Sequence, residues 1–382
     1  MSYARARLWI GISGVGLNVL IALGILFLAG PQDTTSETNV NDAIWVVFAA
    51  YVLWMLPFDF LGGWWLPRRY GRSQQSAARF FVDWASGMLL QSIVFVACGA
   101  SMIWAARLAG LGGGVVWLLL LFIALLAMRP LWVRIFSRSS AFSANDTEAD
   151  ARIIREALSH WGVDDVTIVF RGSPTSGFTG GIVGMLRPRI IFSDQWRSLL
   201  SHEEIAALVA RRSLTISTGS HTMGLIVAAL WTLSAFVAGN WAAGTLAEGP
   251  QTASDLLRVI AGATLWNFLG LLILPSVSRF AARRLDGMTI ARVPQELLKS
   301  AQEKVDRVQD DEPHRPQGVE LIFHPVPSVA LRKHRELTVE GAVPWHLARQ
   351  VLFLSWALCN PLARAVHCNA GQSLLWICPP TD

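Results

Sequence analysis

The chain has 382 residues, 53% hydrophobic and 15% charged, with a formal net charge of +5 and a mean hydropathy of +0.42. A soluble domain is about a quarter charged, so a soluble globular enzyme is excluded once the apolar residues fall into long runs, as they do here. Only three of the 32 basic residues are lysine and no basic run is interleaved with aromatics, so a nucleic-acid partner has no footprint; the pI near 9.4 fits arginines gathered on one side of a bilayer.

Residues 8–30 form an apolar run long enough to cross a ~30 Å hydrocarbon core as a helix. No small-residue cleavage site follows it, which predicts a retained first span. Further spans are predicted over 43–66, 86–106, 109–128, 223–244 and 257–277, six in all. Arg5 and Arg7 precede the first span, and Asp33, Glu37 and Asp42 follow it without a base. Arg68, Arg69, Arg72 and Arg79 make the next loop basic, only Arg107 lies in the third, and Arg129, Arg134 and Arg138 follow the fourth span. The loop around Glu248 and Asp255 is again acidic. This alternation predicts both termini in the cytoplasm, with the chain integral to the cytoplasmic (inner) membrane and the lipid bilayer as its first partner. Asp59 sits near the cytoplasmic end of its span beside Trp64, Trp65, Arg68 and Arg69, which predicts an interfacial aspartate paired with arginine. Asn267, in mid-span, is expected to hydrogen-bond between helices.

The polar blocks divide the chain into a four-span region (1–136), a first cytoplasmic part (137–222), a helix pair (223–277) and a second cytoplasmic part (278–382). Residues 148–161 have helical periodicity with Ile153, Ile154, Ala157 and Leu158 on one face. Residues 165–170 read as a strand, and 189–192 as another after the glycine-rich run GFTGGIVGMLRPRIIFSD. Residues 305–318 read as a loop, and 343–362 alternate Trp, Leu and Arg with a helical period suited to a membrane surface. Cys98, Cys359, Cys368 and Cys378 lack CxxC pairing, and scattered His202, His221, His324, His334, His346 and His367 read as solvated or interfacial. No GxSxG elbow, P-loop or GxGxxG after a strand is present.

Residues 200–286 carry the informative order: a helix LSHEEIAALVARRSLT, two apolar spans, then SRFAARRLD, followed by HPVPSVALRKHREL. This order resembles the membrane zinc metallopeptidases of the CAAX prenyl protease and HtpX type, gluzincins with HExxH and ExxxD segments. The implied fold is mainly α, polytopic, with about six transmembrane helices and a cytoplasmic α+β metallopeptidase-like domain. On the family pattern, HExxH falls on Arg211, Arg212, Ser213, Leu214 and Thr215, the third-ligand glutamate on Ala282 and its partner aspartate on Asp286. The family's strand beside the active-site helix, which pairs with substrate backbone, falls on Gly181, Ile182, Val183, Arg189, Ile190 and Ile191; an ordinary hairpin explains those residues equally well.

A catalytic zinc needs three protein ligands and an open position for water. HExxH supplies two because residues four apart share a helix face, and its glutamate takes the proton from the bound water. Arg211, Arg212, Thr215 and Ala282 remove every ligand and the base together, and arginine stays protonated at neutral pH. The sequence therefore points to a degenerate member with no cofactor and no metal site, a pseudopeptidase that binds or regulates membrane-associated polypeptides by capturing an extended segment. Its emptied site is expected to hold an ion pair from Arg211 or Arg212 to Asp286. An active zinc metalloendopeptidase with non-standard ligands is the alternative, and a small transporter or structural membrane protein a further one, though no internal repeat is visible.

Overall fold

The computed structural model describes residues 1–28, 40–137, 144–164, 166–173, 177–332, 341–367, 369 and 371–379. Asp33, Glu37, Arg138, His334, Cys368 and the end of the HP segment lie outside the described residues. In chain order, α1 is Tyr3–Leu28 and α2 Val40–Phe60, with a π-helical turn Leu61–Trp65 running into α3, Leu66–Arg69. Next come α4 Ala77–Phe136, α5 Ala144–His160, β1 Ile168–Arg171, β2 Gly181–Val183, β3 Arg189–Ser193, α6 Trp196–Leu199 and α7 His202–Ser217. The chain continues through α8 Ser220–Ala243, α9 Ala253–Ile290, α10 Gln295–Gln309 and α11 Gln317–Phe323 to α12 Leu347–Leu354, α13 Leu362–Ala365 and α14 Ser373–Ile377.

Five helical stretches among the described residues are long and apolar enough to cross a membrane: Tyr3–Leu28, Asp42–Arg69, Ala77–Phe136, Ser220–Ala243 and Ala253–Ile290. The 60-residue α4 breaks at Ala109 (φ −146°, ψ 29°) and Gly110 (φ 60°, ψ −154°). Each half is long enough for a span, so six crossing segments result, as the sequence predicts. Gly110 takes the left-handed conformation that L side chains avoid. The chain is thus a mainly α, polytopic integral membrane protein carrying one small sheet.

Two compact units divide the chain. The first comprises residues 1–125, 228–271 and 351–376. Its helices pack through aromatic and small residues, for example Phe48 against Phe95 and Trp231 against Trp266. Asn18 donates to the Gly14 carbonyl (2.8 Å) and accepts from Trp54 Nε1 (3.3 Å). Three expectations fail. Asp59 is fully buried and pairs with Arg364 (3.1 Å) rather than with Arg68 or Arg69 at an interface. Arg68 and Arg69 instead lie over Trp64 and Trp65. Asn267 is buried and neither of its amide atoms has a hydrogen-bond partner among the described residues, so the expected interhelical bond is absent. The stretch 343–362 does not lie on a surface either: nearly all of it is buried, including Trp345, Phe353 and Trp356. Only Leu347–Leu354, the 3-10 turn Ser355–Leu358 and Leu362, where α13 begins, are helical in this stretch.

The second unit comprises residues 126–227, 272–350 and 377–382. Its sheet has the order β1-β3-β2, with β1 parallel and β2 antiparallel to β3. One core joins α5, β1, β3, α7 and α10 through Ile154, Leu158, Phe170, Phe192, Leu208 and Leu298. Ile153, expected on the inner face of α5, is exposed, since only the Ile154 and Leu158 stripe meets α7. The loop expected from residue 305 begins after Gln309, because Val305 completes the buried face of α10.

Candidate functional site: a buried ion pair on a metallopeptidase frame

Helix α7, on which the HExxH pattern is expected to fall, is fixed at its start. Ser201 caps α7, its hydroxyl accepting from the Glu204 N–H while Glu204 accepts from the Ser201 N–H. This capping box satisfies two otherwise orphaned donors. Glu204 also accepts from Ser300 (2.6 Å) and Lys304 (2.8 Å) on α10. Burial alone would raise its carboxyl, but these partners outweigh burial and hold it below the usual glutamate value. On the neighbouring face Arg197 and His202 both bind Asp150 of α5. Burial opposes ionisation of Asp150 too, and the His202 and Arg197 bonds prevail and lower it.

Two turns into α7, Arg211 and Arg212 are buried without measurable exposure. Arg211 Nε donates to Asp286 Oδ1 at 2.5 Å, so the expected ion pair is present. Asp286 lies one turn after Ala282 on α9, and both are buried. Sequence reasoning missed two further neighbours of Asp286. Gln302 of α10 donates to Oδ1 (3.3 Å), and Arg332 of the HP segment approaches Oδ2 (3.9 Å). The HP match could have suggested Arg332; nothing in the sequence singles out Gln302.

Arg212, at the general-base position, has a different task. Nη1 donates to the Ile191 carbonyl of β3 (2.7 Å) and Nη2 to the Thr179 carbonyl ahead of β2 (2.9 Å). Its guanidinium lies over Phe192 (4.2 Å) and Trp196 (5.3 Å). Thr215 turns its hydroxyl back to the Arg211 carbonyl one turn earlier (2.9 Å), and Ser213 donates to the Asp164 carbonyl. Leu214 is buried.

Of the strand residues, Arg189, Ile190 and Ile191 lie on β3, which is paired on both sides. A strand flanked on both edges cannot accept another, so these three are not strand-addition positions. Gly181, Ile182 and Val183 form the edge strand β2, buried, with Ile182 packed on Ala281, Leu285, Val343 and Trp345. The turn between β2 and β3 uses Gly184 at φ +94°. Gly180 has φ +75°, and a Cβ there would lie 1.9 Å from the Ile191 carbonyl oxygen, so only glycine admits this approach.

The residues present do not fit a zinc ion. The positions that would ligate it offer a guanidinium committed to Asp286, a hydroxyl turned into its own helix and a methyl group. No group of three or more His, Cys, Asp or Glu that could hold a metal gathers among the described residues. His221, His324 and His346 are buried rather than solvated, and His221 and His346 pack against the Trp345 ring.

No family model and no curated protein matches this chain. Its fold is similar to the crystal structure of S. mikatae Ste24p, with a TM-score of 0.60 over 81% of this chain and 78% of that one at 14% sequence identity. Ste24p is a CAAX prenyl protease and a zinc metallopeptidase, and what the two chains share is the polytopic membrane fold.

Proposed function

We infer that this protein is a metallopeptidase-like membrane protein without hydrolytic activity, acting by holding membrane-associated polypeptides. The observation that carries this reading is the Arg211–Asp286 pair at 2.5 Å. An aspartate placed as in the family to orient a zinc-bound histidine here neutralises a fixed cation. Arg211 and Arg332 put two permanent positive charges against the one carboxylate of Asp286, a balance that repels a divalent ion rather than concentrating it. Arg212 also replaces the group that would accept a proton with one that cannot.

What remains is a binding frame. β2, Gly181–Val183, has β3 as its one sheet neighbour, so its second edge is where an extended partner segment would pair, while Ile182 is packed in the core. The arginine distribution favours a cytoplasmic position for this unit and both termini. The test is a binding and cleavage assay with the full chain in nanodiscs and an unfolded single-span polypeptide as probe. Saturable binding with intact probe recovered is the expected result. Chelator-sensitive fragments, or no binding, would overturn the reading.

A further inference from the structure

The first unit contains a second buried arginine–aspartate pair, and it belongs to a segment with unusual surroundings. Residues 351–376 run from α12 through a 3-10 turn (Ser355–Leu358), a left-handed Cys359 (φ 52°) and the short α13 and α14. Nearly all of the described positions in this stretch are buried. Irregular backbone is tolerated beside membrane helices only where protein supplies its hydrogen-bond partners. Here Tyr51 donates to the Pro361 carbonyl (3.1 Å), Asn369 to the Ala363 carbonyl (2.8 Å) and Trp376 to the Asn369 carbonyl (2.6 Å). In the other direction the segment's Gln372 donates to the Gly63 carbonyl (2.6 Å) and its Ser373 to the Asp83 carbonyl (3.0 Å).

The membrane helices are also shaped to the segment. A Cβ on Gly11 of α1 would lie 2.6 Å from the His367 backbone, and one on Gly63 would lie 2.7 Å from the Gly371 backbone. One on Gly87 of α4 would lie 2.1 Å from Ser373 Oγ. Three glycines on three separate helical stretches thus form notches for His367, Gly371 and Ser373. Gly63 sits in the π-helical turn Leu61–Trp65, a widened geometry that recurs at functional sites. At the centre Arg364 pairs with Asp59 (3.1 Å), which also accepts from Trp84 Nε1 (2.9 Å). The Arg364 guanidinium lies over Tyr51 (4.5 Å) and donates to Gln91 (3.3 Å).

We propose that residues 351–376 are a resident polypeptide ligand of the membrane unit, latched by Arg364 on Asp59, and that their release opens a glycine-notched cleft for an arginine-bearing polypeptide segment. The site lies wholly within the first unit, so its fate is independent of the reading of Arg211 and Asp286. The ligand class follows from the lining: small notches take backbone, a buried carboxylate takes one guanidinium, and aromatic faces cover that guanidinium.

The test uses the full chain in nanodiscs and a fluorescent synthetic peptide of residues 351–376. Arg364→Gln removes the latch from the segment and leaves Asp59 in place; Ser373→Phe drives the segment off Gly87 and is the second release variant. Maleimide labelling of Cys359, whose thiol faces the Phe95 carbonyl, reports release. We expect labelling to rise about a hundredfold when the buried pair is broken, and the peptide to bind either release variant at least about tenfold more tightly than wild type. A peptide carrying Gln at position 364 should not bind, nor should the wild-type peptide bind Arg364→Gln combined with Asp59→Asn. Unchanged labelling in both variants, labelling without peptide binding, or equal binding of the Gln peptide would overturn the proposal. Loss of the helical fold in both variants would overturn it as well, since the segment would then be a core element and not a ligand.

Discussion

Arg211–Asp286 and Arg364–Asp59 are both buried pairs joined across long sequence separations, yet their neighbours differ. Asp286 is approached by Arg211, Arg332 and Gln302, so one carboxylate serves several donors. Asp59 faces a single guanidinium among the described residues and accepts from a tryptophan, and that guanidinium lies over Tyr51 and Trp376. In the first case a carboxylate gathers two cations and an amide from two helices and a loop. In the second, aromatic faces isolate one pair. On the proposed reading, the surroundings of the first kind disfavour a metal cation by their own charge, whereas those of the second suit one guanidinium. The difference teaches that two chemically identical pairs can close a site or latch one, according to what surrounds the carboxylate.

The largest effect should come from breaking the first pair on one side only. Asp286→Ala leaves Arg211 buried without its carboxylate and should cost about 3–5 kcal/mol, read by thermal or denaturant unfolding in detergent. The double change Arg211→Met with Asp286→Leu should recover most of that loss. A double variant as unstable as the single one would mean that the pair is not what holds α7 to α9. Next, Arg212→Met removes two charge-assisted bonds to the Ile191 and Thr179 carbonyls and should cost about 3 kcal/mol. Arg212→Lys should not rescue it, because an ammonium cannot span both carbonyls and stack on Phe192; full rescue by lysine would show that charge alone matters there.

A smaller loss, about 1.5 kcal/mol at neutral pH, is expected for Glu204→Gln, which weakens the bonds from Ser300 and Lys304. The sign of its pH dependence is fixed. The folded-state value of Glu204 is lowered from 4.5, so its contribution is complete above that value and is lost as pH falls through the lower folded value. Wild type and Glu204→Gln should therefore converge in stability on acidification, and a gap that widens with acid would contradict the assignment. Smallest of all, Thr215→Val should change stability by about 0.5 kcal/mol, since its hydroxyl only bonds its own helix. A large loss there would give Thr215 a role that the structure does not show.

Much of this architecture was legible in the sequence because it depends on local pattern. Apolar run lengths placed six crossing segments, and the gap between 86–106 and 109–128 fell within three residues of the break in α4 at Ala109 and Gly110. The motif order placed Arg211 and Asp286 on facing helices, and complementary charge then implied their contact. Pairings that depend only on tertiary proximity were not legible. Asp59 had Arg68 and Arg69 nearby in sequence, but its partner is Arg364, some three hundred residues on. The period of residues 343–362 suggested a helix on the membrane surface, whereas protein covers nearly all of it. Strand positions were found, but the order β1-β3-β2, which puts Arg189–Ser193 in the centre and Gly181–Val183 at one edge, could not be read from spacing.

The central claim is that fixed guanidinium charge occupies the place where a related peptidase holds its metal. Zinc titration of the purified full chain, with bound metal counted after exchange into chelator-free buffer, tests it most directly. The account predicts no stoichiometric zinc, with Asp286→Asn no different from wild type. One tightly held zinc per chain, displaced by Asp286→Asn, would contradict it.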